Sequence, residues 1–163
     1  MRALCNHAGP LTLKARIRIL GEAAQRCLGV EHVRVFITTT GSRELSVLYT
    51  SHPDNRAVPL ASGGALAAAG RGKGQTWHGA TGVTQSHGVS AEVQHHTFTP
   101  EVDAPHGLAC LSAMHLPIEG EARAVLGVLQ LLNRQRDGGP TEFAEADQRV
   151  AAAFAALAGT RLL

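Results

Sequence analysis

Residues 125–147, VLGVLQLLNRQRDGGPTEFAEAD, constrain the fold more than any other stretch of the chain. Val125, Leu126, Val128, Leu129, Leu131 and Leu132 form a nearly unbroken apolar run, the pattern of a strand covered on both faces. Gly127 inside the run predicts a close approach by another element. The strand is expected to end at Asn133-Arg134, and Asp137-Gly138-Gly139-Pro140 to form a loop. Thr141 is then expected to cap a helix with Glu142 and Glu145 in its first turn, where carboxylates suit the positive end of the helix dipole. Phe143, Val150, Phe154 and Leu157 give that helix an apolar stripe. A buried strand, a polar loop and an amphipathic helix thus bring Asn133, Arg134, Phe143 and Asp147 to the two junctions.

This arrangement resembles the GAF domain, most closely the regulatory GAF domains of cyclic-nucleotide phosphodiesterases. Their signature is Asn-Lys, a variable loop, then Phe-x-x-x-Asp-Glu. Here it reads Asn133-Arg134, a loop, then Phe143, Asp147 and Gln148, with Arg134 in place of Lys and Gln148 in place of Glu. The resemblance implies an ion pair between Arg134 and Asp147 that ties the loop down, and a guanidinium suits a two-pronged version of it. The same residues, taken alone, also describe a strand-loop-helix ending in a surface ion pair. The likeness extends over residues 11–160: Phe98-x-x-Glu101-Val102-Asp103, then Gly107, then a strand ending Leu116-Pro117-Ile118, then Gly127-Val128-Leu129-Gln130.

Taken in order, residues 1–10 read as a lead-in and 11–163 as one domain. Leu13, Ile17, Leu20, Ala24, Cys27 and Leu28 share a helical face, with Gly29 as the stop. Cys27 is expected to be a small core residue. Val33–Thr39 and Leu45–Thr50 read as a hairpin about Gly41-Ser42, and Val58-Pro59-Leu60 as a short edge strand. A short helix is expected from Gly63 to Arg71 and a short strand at Gln75–Trp77. Residues 78–100 read as a long polar lid or insertion loop. A strand from Leu108 to Ile118 leads into the one at Val125. Hairpins between terminal helices predict an α+β domain built on an antiparallel sheet. The GAF resemblance implies terminal helices on one face of that sheet and a ligand pocket under lid loops on the other.

Composition narrows the function. The chain has 163 residues, 44% of them hydrophobic and 17% charged, a net charge of +2 and no basic run, which argues against a nucleic-acid partner. No apolar run is long enough for membrane insertion. Cys5, Cys27 and Cys110 make no disulfide framework, which points to a reducing cytoplasm. His78, His87, His95 and His96 lack metal-ligand spacing, so no metal is expected.

By the resemblance, the pocket wall includes Arg34, Phe36, Phe98, Asp103, Leu108 and Cys110. Gly63 and Gly64, opening the short helix, would offer backbone N–H groups to a phosphate. Phe98 would stack on a base and Asp103 would accept hydrogen bonds. Cyclic GMP or cyclic AMP is then the ligand to test, and no catalytic residue or cofactor is expected. Arg34 departs from cyclic-nucleotide-binding members, which often carry a small hydroxyl residue there. An Arg filling the pocket fits a structural scaffold, whereas an Arg facing an open cavity fits an anionic ligand. The resemblance also implies association into a homodimer, or with a neighbouring domain, through the terminal helices. Stand-alone GAF enzymes that reduce free methionine-(R)-sulfoxide give Cys110 a catalytic alternative. That chemistry needs a second thiol near the first, and neither Cys5 nor Cys27 falls on the lid.

Overall fold

The structure, a computed structural model, describes residues 11–39, 41, 43–60, 69, 72, 74–78, 83–87 and 98–161, with backbone alone at 74–78, 83–87 and 100–101. Helix α1 (Leu13–Leu28) starts at Thr12, whose hydroxyl accepts from the Ala15 N–H at 3.2 Å, and stops at Gly29 in the left-handed conformation. Strands β1 (Val30–Thr38), β2 (Glu44–Thr50) and β3 (Val58–Pro59) follow. β4 (Gly74–His78), β5 (Val83–His87) and the one-turn helix α2 (Pro100–Asp103) lead to β6 (Ser112–Glu119). After a 3-10 turn at Glu121–Arg123 come β7 (Val125–Arg136), β8 (Gly139–Pro140) and helix α3 (Glu145–Arg161).

The strands make one antiparallel sheet in the order β3-β2-β1-β7-β6-β4-β5, with β8 folded back on β7. β7 lies at its centre, and its first eight residues are apolar but for Gly127 and Gln130: residues 127–133 are buried without a break. Side-chain alternation sends Leu129 and Leu131 to one face, with Val33 and Val35 of β1 and Met114, Leu116 and Ile118 of β6. There Ile17, Leu20, Ala24 and Leu28 of α1 and Ala151, Ala155 and Ala158 of α3 complete the main core, and the two helices touch. Each fully buried Leu, Ile or Val contributes roughly 1.5–3 kcal/mol. Val128 and Phe36 point to the opposite face, beside Leu45, Val58 and Ala69. Gly127 meets the expected approach: a side chain there would run into the backbone carbonyl of Phe36 on β1.

Several boundaries differ from expectation. Asp137 and Gly138, read as loop, form a two-residue hairpin turn with positive φ at both positions, so β7 runs on to Arg136. The strand expected from Leu108 begins at Ser112, because Gly107 takes a positive φ and the next residues follow the turn. α3 starts at Glu145, and Thr141 instead donates its N–H to the Arg134 carbonyl at 2.8 Å. Val150 and Leu157 are exposed on α3 while Ala151, Ala155 and Ala158 face the sheet. Small residues let the helix sit close, and Gly159 rests against the Glu119 carbonyl. Cys27 is exposed at the edge of the α1 face and is not part of the core. Within the expected 78–100 loop, residues 83–87 form β5, paired with β4 at the edge of the sheet, while residues 79–82 and 88–97 lie outside the described residues, as do 1–10 and all of the expected Gly63–Arg71 helix but the buried, helical Ala69.

Candidate functional site

Three adjacent strands place polar side chains side by side on the face away from the terminal helices. Arg34 of β1 pairs in register with Gln130 of β7, and Gln130 with His115 of β6. All three are buried, and they are joined. Arg34 Nη1 donates to Gln130 Oε1 at 3.3 Å, and Gln130 Nε2 lies 2.9 Å from His115 Nε2. Gln130 Nε2 also donates to the backbone carbonyl of Asp103, which brings α2 down over the row. Asp103 is fully buried, and its carboxylate accepts from the Thr99 N–H at 2.7 Å. Burial holds the His115 imidazole well below its ordinary range, against the opposing pull of Asp103.

Arg34 Nη2 reaches the Arg56 carbonyl at 3.4 Å, and Nε is buried without a partner. The guanidinium stacks over the Phe36 ring, 4.7 Å from its centroid. Burial lowers the Arg34 pKa to about 10, with Asp54 opposing and Arg56 adding to the effect. Arg34 also lines a cleft of about 210 Å³, with Arg56, Val58, Pro59, Val102 and Ala104 around it. Beside the cleft, Asp54 takes Arg56 Nη2 at 2.8 Å and the His106 N–H at 2.7 Å. These donors hold its carboxyl far below the usual carboxylate range.

The expected pocket residues divide. Arg34 is at the cleft and Phe36 lies under it in the core. Phe98 is buried with Ala104, Ala113 and Leu132, its ring 6.1 Å from His115, and Leu108 and Cys110 pack half-buried against that cluster. Phe98, Leu108 and Cys110 therefore gather beside the His115 end of the row, in a cluster that shares Ala104 with the cleft wall, while Asp103 covers the middle of the row. Gly63 and Gly64 lie outside the described residues, as do His95 and His96. The Cys110 thiol is pushed up to about 12, by burial first and by Asp103 and Glu31 after it. Sequence reading missed Gln130, His115, Asp54 and Arg56. The available signal was a Gln and a His at positions that alternation sends to the same face of two apolar strands.

The signature residues make a structural joint. Asn133 adopts a left-handed conformation, φ 55°, which Asn tolerates better than most residues. Its Oδ1 accepts from the Leu111 N–H at 2.7 Å, while Nδ2 donates to Glu31 Oε2 at 2.8 Å and to the Ala109 carbonyl at 3.0 Å. Arg134 grips Asp147 with two prongs, Nε to Oδ2 at 3.2 Å and Nη2 to Oδ1 at 3.3 Å. Asp147 also accepts the Ala144 N–H at 2.9 Å, closing the first turn of α3. Phe143 is buried in the main core, and Gln148 is half-buried and donates its N–H to the Ala144 carbonyl.

Comparison with known proteins agrees with this architecture. The GAF domain family model matches residues 12–162. No curated protein matches. Among solved structures, the GAF domain of an Acinetobacter phosphoenolpyruvate-protein phosphotransferase is 15% identical with a TM-score of 0.65, covering 91% of this chain and 80% of that one. Residues 122 to 287 of a methyl-accepting chemotaxis protein are 20% identical, with a TM-score of 0.63 over 90% of this chain and 86% of that one. Free methionine-R-sulfoxide reductase from Neisseria meningitidis, solved with its substrate, is 17% identical with a TM-score of 0.63 over 91% of this chain and 76% of that one. At such identities the likeness is one of fold. With its antiparallel sheet, its helix-covered face and its family match over nearly the whole length, the chain belongs to the GAF domain family.

Proposed function

We propose that this GAF domain is a non-catalytic cytoplasmic sensor that takes a small ligand on the lid side of its sheet and reports it through α1 and α3 to a second copy or a neighbouring domain. The observation that carries this reading is the buried row Arg34–Gln130–His115, ending at a cleft. A buried guanidinium lacking a carboxylate partner costs stability, and a ligand that binds one state of the site better would shift the population toward it. The likeness to phosphodiesterase regulatory GAF domains rests on the Asn133-Arg134…Phe143…Asp147 pattern, and it makes cyclic GMP and cyclic AMP the first probes. The cleft, at about 210 Å³, is below the ~300–1,000 Å³ of pockets that enclose drug-sized ligands. That favours a ligand smaller than a nucleotide.

A thermal-shift screen of cyclic GMP, cyclic AMP and a set of small metabolites tests the reading. A ligand at about 100 times its dissociation constant adds ~2.7 kcal/mol, a rise of several degrees for a domain of this size. The absence of any shift would favour the structural-scaffold reading, which the burial of Arg34, only 1% exposed, supports. A reductase reading centred on Cys110 has less support. A thiol held near 12 is a poor nucleophile, and Cys27 is exposed on α1.

A further inference from the structure

We propose that the cleft beside Arg34 and Arg56 is a site for a monoanionic carboxylate with a short apolar tail, an inference that rests on the ligand-sensing reading above. Arg34 is 1% exposed, lines the cleft and has an Nε–H with no partner. Its other two nitrogens are spent on neutral oxygens, those of Gln130 and of the Arg56 backbone. The nearby Asp54 cannot serve it: that carboxylate is occupied by Arg56 Nε and Nη2, the Arg56 N–H and the His106 N–H. Asp103, the other buried carboxylate on this face, is engaged by the Thr99 N–H and acts on His115. Among the described residues at the mouth of the cleft, Arg34 and Arg56 against Asp54 leave one positive charge in excess.

One negative charge balances that excess. A carboxylate fits a guanidinium fork edge-on, and Arg56, half exposed, is placed to add a second donor group. Among the described residues, the remaining wall is apolar, with Ala57, Val58, Pro59, Val102 and Ala104. A doubly charged phosphate would overshoot that charge and meet apolar atoms from the described residues opposite. The cleft volume limits the tail to a few carbons.

Titration with butyrate at constant ionic strength, followed by melting temperature and calorimetry, tests the proposal. Butyramide, of equal size but uncharged, and inorganic phosphate are the comparison arms. Butyrate should give a saturable rise, and butyramide and phosphate little. Arg56→Gln, at a half-exposed position, should weaken butyrate about tenfold or more, the worth of a hydrogen bond to a charged group. Arg34→Met should abolish the response; should that variant not fold, Arg56→Gln alone decides. Equal effects of butyrate and butyramide, unchanged binding in Arg56→Gln, or a stronger response to phosphate would overturn the carboxylate assignment. If cyclic nucleotides or other metabolites stabilise the protein while butyrate does not, ligand sensing stands and this assignment falls. If nothing stabilises it, both fall.

Discussion

At the scale of single residues, Gln130 decides how the lid-side face works. Its carbonyl oxygen is committed to Arg34, and its amide nitrogen to His115 and the Asp103 carbonyl. With the amide so fixed, His115 Nε2 must accept, so the imidazole must be neutral. Protonation would set donor against donor, and flipping the amide would set its NH₂ against Arg34. Burial lowers the His115 pKa to about 4 from 6.5, with Asp103 opposing and Arg34 reinforcing. The sign of the pH dependence follows. Above pH 6.5 both folded and unfolded chains hold a neutral His115, and its contribution is full. As pH falls toward 4, only the unfolded chain takes the proton, so stability drops, by on the order of 3 kcal/mol from this residue. Urea titrations between pH 7 and 4 should show that loss, and His115→Gln, which keeps an acceptor toward Gln130, should flatten it. An unchanged slope in the variant would place the pH dependence elsewhere. The sequence displayed Arg34 as a departure from the family pattern and suggested its two possible roles. It could not show that Gln130 and His115 stand next to it, because that depends on the register of three strands separated by up to 96 positions in the chain.

At the scale of elements, the strand-loop-helix that dominated the sequence is the joint that locks α3 to the sheet. The apolar run made β7 legible as a buried strand, and Gly127 as a point of close approach. The Asp-Gly hairpin turn was present in the sequence but hidden by the glycine and proline that follow, which read as loop. The helix start was misplaced because Thr141 looks like a cap, whereas the reach of Asp147 back to the Ala144 N–H sets the first turn. The inner face of α3 was misread for a different reason. Large apolar residues are usually the buried ones, but this helix lies too close to β6 for them, and alanines and Gly159 take their place. The Arg134–Asp147 pair is 14% and 16% exposed, buried enough for its geometry to matter. Asp147→Ala strands Arg134 and leaves the Ala144 N–H unpaired, and should cost about 1–3 kcal/mol in a denaturant titration. A change under ~0.5 kcal/mol would make the signature pair dispensable here.

At the scale of the whole molecule, the sheet separates two surfaces of different chemistry. One carries the cleft and the polar row; the other is covered by α1 and α3, which touch each other. Any signal between them must cross the central strands. Arg34, Gln130 and His115 share those strands with Val33, Val35, Leu129, Leu131, Met114 and Leu116, which pack against the helices. The outer side of α3 matters for the same reason. Val150 and Leu157 are 42% and 48% exposed, two turns apart on one helical face, with the half-buried Phe154 between them. Two large aliphatic side chains left outside, while alanines fill the inside, are what a second helix would cover. Sedimentation of the wild-type chain should then show a dimer, and Val150→Glu with Leu157→Glu should give a monomer. Because neither residue belongs to the core, the monomer's stability should stay within ~0.5 kcal/mol per substitution. A wild-type monomer would remove self-association through α3 as the output of ligand binding and leave a neighbouring domain as the receiver. A dimer insensitive to both substitutions would move the interface to α1, where Leu13 and Ile19 are exposed and Leu11 stands exposed just before the helix.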